Sequence, residues 1–416
     1  MTVAGLRIVG GGLSGLLAAL DAPELGYDEV RLHERLDSLG GVARSRVIDD
    51  LEIREATIYF APPGDPVTDT LVRHGVALDV FSNRYASVSL DEQGEFRCVE
   101  GFGGPAWPGG LQTRPRDFAN LADRFAAYPP AIEAALARYC RWHLDTDPAA
   151  LHPDTAVALA VNRVYPVDAP IDALAQAKRA DPLSDELFGL PSALWGRTHN
   201  AQATLPTNGF PAMFRTLSER LTALGVQVDT ETLVTPTQAF EAVDRGETVL
   251  WAANPLPLAK AVGLRTPEQV RKTFSTYTFE ARTSIAAPFY VQNFTATGAV
   301  FRAYLYASGD QTLLTLECVR PADENALRSE AARLLEGVGG ATLGRLIDEA
   351  HRPRWIYHSP AVVEMLGQLR DRLYGRCGAA LVPGAWEPYG KTQKLLEIRE
   401  GLIQAIAATR PAAQRA

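Results

Sequence analysis

The stretch Leu6-Arg7-Ile8-Val9-Gly10-Gly11-Gly12-Leu13-Ser14-Gly15-Leu16 decides the fold. A short β-branched run meets three glycines, and an apolar segment, Leu16 to Leu20, continues at helical spacing. A second strand-like run, Glu29-Val30-Arg31-Leu32-His33, follows and ends on Glu34. A GxGxxG pattern between a strand and a helix, with an acid some 20 residues on, is the dinucleotide-binding arrangement. Each residue has a physical task. Gly10 permits the tight turn, Gly12 lets backbone approach a pyrophosphate, and Gly15 lets helix and strand pack closely. Leu13 and Ser14 open the helix, whose free N–H groups and partial positive charge favour phosphate. Glu34, with Arg35 beside it, stands where a carboxylate accepts hydrogen bonds from ribose hydroxyls.

The next segment narrows the cofactor. Leu39-Gly40-Gly41-Val42-Ala43-Arg44-Ser45 places two more glycines just after the acid. Their backbone amides, with Arg44, suit a second phosphate. The order GxGxxG, acid, GGxxRS resembles the FAD-binding half of the flavin-containing amine oxidase, protoporphyrinogen oxidase and UDP-galactopyranose mutase group. The resemblance implies an α/β, two-lobed flavoprotein in which a discontinuous Rossmann-like FAD-binding domain carries an inserted α+β substrate domain. It implies FAD as cofactor.

The rest of the chain is read against that expectation. Pro66 to Gly75 reads as a short helix, and Tyr85–Leu90 with Glu95–Val99 as a hairpin turned by Asp91-Glu92-Gln93-Gly94. Gly101 to Gly110 is a glycine- and proline-rich loop at a lobe boundary. From Arg116 to Ala180 the pattern is helical, including Ala131–His143 and Asp154–Val164, with Trp142, Tyr165 and Trp195 as core or pocket wall. Pro211 to Leu224 reads as an amphipathic helix closed by Gly225, before a strand through Val226 and Val228. The resemblance makes Val234 the backbone contact to adenine, and Thr248 to Trp251 a buried strand whose turn, with Ala252, adjoins the cofactor. Gly378 to Val382, next to Cys377, reads as a strand followed by a turn at Gly384. A helix from Gln393 to Ala408 comes after it, with Thr392 as its N-cap.

Two further assignments follow from the resemblance. Lys391 or Lys394, with Leu395 alongside, would stand at the flavin pyrimidine, Lys394 supplying a charge to the reduced ring; the alternative is a solvated lysine pair. Phe279 to Val319 reads as several strands, and Arg302 matches an arginine that faces substrate and flavin; the alternative is a solvated outer face. Arg302 and Lys394 are thus the catalytic candidates. A histidine-bearing segment of the mutases has no counterpart in Arg54-Glu55-Ala56-Thr57-Ile58-Tyr59, where Glu55 stands in place of a glycine. The domain limits expected are 1–80, 205–265 and 352–416 for the FAD domain, and 81–204 and 266–351 for the substrate domain.

Composition sets the remaining bounds. The 416 residues carry 49 acidic and 41 basic side chains, a net charge of -8, so no basic footprint invites nucleic acid. Only five basic residues are lysines, consistent with arginine-favouring codon usage. Four scattered cysteines and seven histidines suggest no zinc site, no disulfide framework and no metal. No apolar run spans a membrane and no leader is evident, so the expectation is a cytoplasmic enzyme acting on a small molecule, its oligomeric state open. The leading function is hydride transfer from a small amine, alcohol or C–C unit to flavin N5. The alternatives are a non-redox flavoenzyme acting on a nucleotide-linked sugar and a catalytically idle FAD-binding scaffold.

Overall fold

The computed structural model describes residues 4–55, 58–90, 96–108, 110–190, 202–386 and 390–409. The turn at 91–94, Glu95, Gly109, Ala56, Thr57, Trp195 and Tyr389 lie outside them. The chain begins with β1 (Gly5–Val9), α1 (Leu13–Asp21) and β2 (Glu29–His33), then a small hairpin of β3 (Arg46–Ile48) and β4 (Leu51–Ile53). Helix α2 (Pro66–Arg73) leads to β5 (Leu78–Ser82), β6 (Arg84–Leu90), β7 (Phe96–Glu100) and β8 (Ala106–Trp107). A helical stretch follows: α3 (Leu121–Phe125), α4 (Pro130–Leu144) and α5 (Thr155–Ala158), then β9 (Tyr165–Pro166), α6 (Ile171–Ala180) and α7 (Pro182–Leu187).

The return to the first lobe runs through β10 (Gln202–Pro206), α8 (Gly209–Ala223), β11 (Gln227–Asp229), α9 (Pro236–Asp244), β12 (Thr248–Trp251) and α10 (Leu256–Ala261). Four long strands come next: β13 (Val270–Arg282), β14 (Phe289–Asn293), β15 (Val300–Ser308) and β16 (Gln311–Cys318). The chain closes with α11 (Glu324–Glu336), β17 (Thr342–Tyr357), α12 (Pro360–Cys377), β18 (Leu381–Pro383) and α13 (Lys391–Thr409).

Two sheets organise the molecule. The first is parallel, in the order β11-β2-β1-β12-β18, so three separated stretches of chain meet in one sheet. Alternation along β1 sends Leu6 and Ile8 to a core shared with α1, α8 and α13, and Val9 to a core shared with α9, α10 and α12. Helices therefore cover both faces, as parallel sheets require. Ile8, Leu16, Leu20, Leu217, Leu250 and Leu402 are fully buried there, each contributing about 1.5–3 kcal/mol.

The second sheet has the order β17-β13-β16-β15-β14-β6-β7 and is antiparallel except at β14–β6. One face packs on α11 through Ala303, Leu305, Leu314 and Leu316. The other carries Arg302, Tyr304 and Tyr306 from β15, and the β3–β4 hairpin docks on it through Leu51 and Ile53. The architecture is thus mixed α/β, a Rossmann-like lobe with a sheet-and-helix lobe attached.

Some local expectations need correction. The helix expected over Asp154–Val164 stops at Ala158, because Ala160 takes φ +55° and Tyr165 joins β9 against β8. The helical run from 116 to 180 is therefore broken by a strand. Residues 378–380 form a 3-10 turn, and the strand is Leu381–Pro383. Cys377 accordingly ends α12 and is only half-buried, rather than belonging to a strand.

Thr392 is not an N-cap either. Helix α13 already begins at Lys391, and the Lys394 N–H donates to the Gly390 carbonyl at 3.0 Å. No helix among the described residues is long and apolar enough to cross a membrane.

Candidate active site

The site starts where β1 gives way to α1. Gly10 takes φ +106°, and a Cβ there would stand 3.0 Å from the Ala253 nitrogen and 3.1 Å from the Ala252 carbonyl carbon. A Cβ on Gly15 would overlap the Gly10 carbonyl oxygen, so helix and turn touch through bare backbone. Gly12 is different: it caps α1 with no side-chain bond, and a Cβ on it would meet nothing within 4 Å. The helix N-terminus, with Leu13 and Ser14 half-buried behind it, thus opens onto free space.

The second glycine pair closes on this opening. The Gly40 N–H donates to the Gly11 carbonyl at 2.9 Å, and Gly41, at φ +57°, lies against Gly12. Beyond them Val42 is exposed, while Arg44 pairs with Asp37 at 2.7 Å and donates to the Ser38 hydroxyl.

Glu34 is held in place rather than loose. Its Oε2 accepts the Gly11 N–H at 2.7 Å and its Oε1 the Leu36 N–H at 2.8 Å. Residues 229–232 zip onto it: Glu34 N–H donates to the Asp229 carbonyl and Thr232 N–H to the Glu34 carbonyl. Arg35 is exposed, Val234 is buried, and the exposed Leu233 next to it offers an apolar surface.

On the other side, Ala252 follows β12, and a Cβ on Gly384 would come within 2.6 Å of the Ala252 Cα. The structure thus brings Gly10, Gly12, Gly15, Glu34, Gly40, Gly41, Ala252 and Gly384 around the strand ends of one sheet. This is the crevice position where open α/β sheets hold ligands.

The helix α13 residues are held by contacts within the protein. Lys391 Nζ donates to the Tyr59 carbonyl at 2.6 Å, and the Thr392 hydroxyl donates to Asp65, the N-cap of α2. Lys394 is half-buried, and Leu395 is buried in the core beside α1.

After Gly41 the chain lines a shallow crevice with Val42, Ala43, Ile58 and Phe210 as its apolar wall and Arg44, Ser45, Arg54 and Glu55 as its polar lining. Arg54 and Glu52 were not singled out by the sequence as a pair. Glu52 lies in β4 and Arg54 directly follows the strand, and their spacing of two is the signal that was available. Arg54 is 8% exposed. Its Nε and Nη2 both donate to Glu52 Oε2, at 3.0 and 2.8 Å, and the guanidinium lies 5.6 Å from the Phe210 ring and 5.2 Å from that of Tyr306. Burial works against this charge, but Tyr304 and Glu52 outweigh it and hold the guanidinium protonated.

Glu52 Oε1 accepts the Ser45 hydroxyl at 2.8 Å and the Phe210 N–H at 2.9 Å, so the carboxylate caps the start of α8. Glu55, the residue standing in place of a glycine, is bound by Arg46 and Arg352.

Arg302 is neither free nor solvated. Its Nε donates to Gln292 at 2.9 Å and its Nη1 to Glu317 at 3.2 Å, and Gln292 in turn reaches the Tyr139 hydroxyl at 3.3 Å. Tyr59, Tyr290, Tyr304 and Tyr306 share this polar region, and burial pushes every one of these phenols up, Tyr290 and Tyr306 to about 12. They stay protonated donors at neutral pH. The hydroxyls of Tyr59 and Ser87 are buried with no hydrogen-bond partner among the described residues. No cluster of metal-ligating side chains occurs among those residues, and all four cysteines are free.

Comparison with known proteins follows this geometry. Residues 8–74 match the family model of the NAD(P)-binding Rossmann-like domain. No curated protein matches the sequence. Among solved structures, reduced UDP-galactopyranose mutase superposes with a TM-score of 0.67 at 14% identity, covering 99% of this chain and 95% of that one. A candidate protoporphyrinogen oxidase from Exiguobacterium sp. 255-15 gives 0.54 at 14%, covering 99% and 100%. A fatty acid isomerase from P. acnes that produces CLA gives 0.51 at 13%, covering 98% and 99%. The chain has the fold of the two-domain flavoenzymes.

Proposed function

We propose that this chain is a cytoplasmic FAD-dependent oxidoreductase acting on a small molecule, with its nucleotide lobe formed by about 1–80, 205–265 and 352–416. One observation carries the reading: the N-terminus of α1 is open at Gly12 and flanked by Glu34 and Gly40–Gly41, and the residues that follow Gly41 line a crevice with Arg54 and Phe210. The residues present fit such a group. Gly12 leaves room for phosphate, Glu34 keeps acceptor capacity for ribose hydroxyls, and Leu233 offers a surface for a base. When bound, FAD supplies two-electron chemistry, accepting a hydride at N5 from an amine, alcohol or C–C unit.

The chain's own part is to orient and exclude. Val42, Ile58 and Phe210 give the crevice an apolar wall, and the protonated tyrosines on β14 and β15 donate hydrogen bonds to a substrate on the sheet side. The test is direct. Purified protein should quench the fluorescence of added FAD and be stabilised by it, and one member of an amine, alcohol and acyl panel should bleach the flavin anaerobically. Protein that neither binds nor is stabilised by FAD would end this reading.

A second reading, a non-redox enzyme for a nucleotide-linked sugar, draws on the unpartnered Ser87 and Tyr59 hydroxyls and the nearby Gln292, which a polyhydroxylated substrate would satisfy. Saturable binding of a nucleotide sugar only after flavin reduction would favour it.

A further inference from the structure

Hydrogen-bond capacity in the crevice is unevenly distributed. A carboxylate offers about four lone-pair sites. Those of Glu52 receive Arg54 Nε and Nη2 on Oε2, and the Ser45 hydroxyl and Phe210 N–H on Oε1. A guanidinium has about five N–H donors. Arg54 uses two on Glu52, while a third, on Nη1, reaches the Tyr304 hydroxyl at 3.5 Å. The pair is neutral in charge but has donors to spare, on a buried group that lines an open crevice. Leaving such donors unmet costs free energy, so the crevice selects for acceptors. Val42, Ala43, Ile58 and Phe210 give the crevice an apolar wall that suits a flat face, and Arg44, Ser45 and Glu55 complete its lining.

We infer that Arg54 is the ligand-binding residue of this crevice, donating its spare N–H groups to acceptor oxygens along the edge of a flat ring lodged there. This rests on the FAD reading, in which the edge is the carbonyl-bearing side of the flavin. The ADP half of the ligand would be held by the α1 cradle without help from Arg54.

Isothermal titration of the ligand-stripped full chain with FAD and with ADP separates the two halves. The wild type should bind FAD more tightly than ADP. Arg54→Met should weaken FAD roughly ten- to hundredfold, as loss of charge-assisted bonds does, with ADP affinity unchanged. Because Arg54→Met leaves Glu52 buried without its partner, the paired variant Glu52→Gln with Arg54→Met is titrated in parallel. Unchanged ADP affinity certifies its fold. If both variants keep the wild-type ratio of FAD to ADP affinity, Arg54 is only the structural partner of Glu52 and the inference falls. If the wild type binds both ligands equally, the crevice takes no ring and the inference falls while nucleotide binding stands. Failure to bind either ligand overturns the FAD reading itself.

Discussion

Glu34 holds its loop and faces the proposed ribose at once. Its carboxylate ties the Gly11 and Leu36 amides together, so Glu34→Ala removes both the ligand contact and the clamp on the first glycine turn. A loss of at least tenfold in ADP affinity by titration is expected, whereas Glu34→Gln, which keeps one acceptor oxygen, should retain part of it. His143 offers a second residue-scale test. It is wedged between Phe274 and Phe301, and burial, with Arg302 and Lys272 adding to it, lowers its pKa from 6.5 to about 3. The unfolded chain therefore takes up a proton near pH 6.5 that the folded chain refuses. Stability is fully present above that pH and falls as pH drops toward 3, by about 1.4 kcal/mol per unit. His143→Phe should flatten this slope in urea unfolding between pH 6 and 4; an unchanged slope would assign it to other groups.

At the scale of elements, β14, β15 and β16 are joined by a buried polar row: Gln292, Arg302 and Glu317. Glu317 is 1% exposed, so removing Arg302 takes a charge-assisted hydrogen bond from a buried carboxylate, at a cost of about 1.5–3 kcal/mol. Arg302→Met should be that much less stable to urea, and adding Glu317→Gln should recover most of the loss. A stable Arg302→Met chain would instead return Arg302 to a role in the cleft alone. Elements were legible where a local pattern dictates them. The spacing of Gly10, Gly12 and Gly15 announced the strand, turn and helix because Gly10 and Gly15 answer backbone contacts at the turn and the adjoining strand end, while Gly12 leaves the helix start open. The start of α13 was misjudged by two residues because backbone, at Gly390, begins it, and Thr392 spends its hydroxyl on Asp65, 327 residues away. The Glu52, Arg54 and Phe210 cluster escaped for the same reason, since its members meet only after α8 is docked.

For the whole molecule, the lobes are joined by more than packing. Arg46 on the hairpin pairs with Asp348 on β17, and Glu55 with Arg352 on the same strand. The crevice lies beside these ion pairs. Ligand bound there adds stability to the folded chain only, about 2.7 kcal/mol at one hundred times its dissociation constant. FAD, bound more tightly than ADP, should therefore raise the melting temperature more than ADP does at the same concentration. A rise with ADP but none with FAD would mean that the ring is excluded.

The parallel sheet has one more consequence, for synthesis. Its central strand, Gly5–Val9, precedes the neighbours that complete the opening, β12 and β18, by about 240 and 370 residues. A nascent chain on the ribosome therefore carries its glycine turn long before it has anything to bind with. Until Leu381–Pro383 and α13 emerge, Leu16, Leu17 and Leu20 lack their final cover. The apolar face of α1 stays partly uncovered until α13 is made, and the crevice at the strand ends is complete only once β18 has joined the sheet.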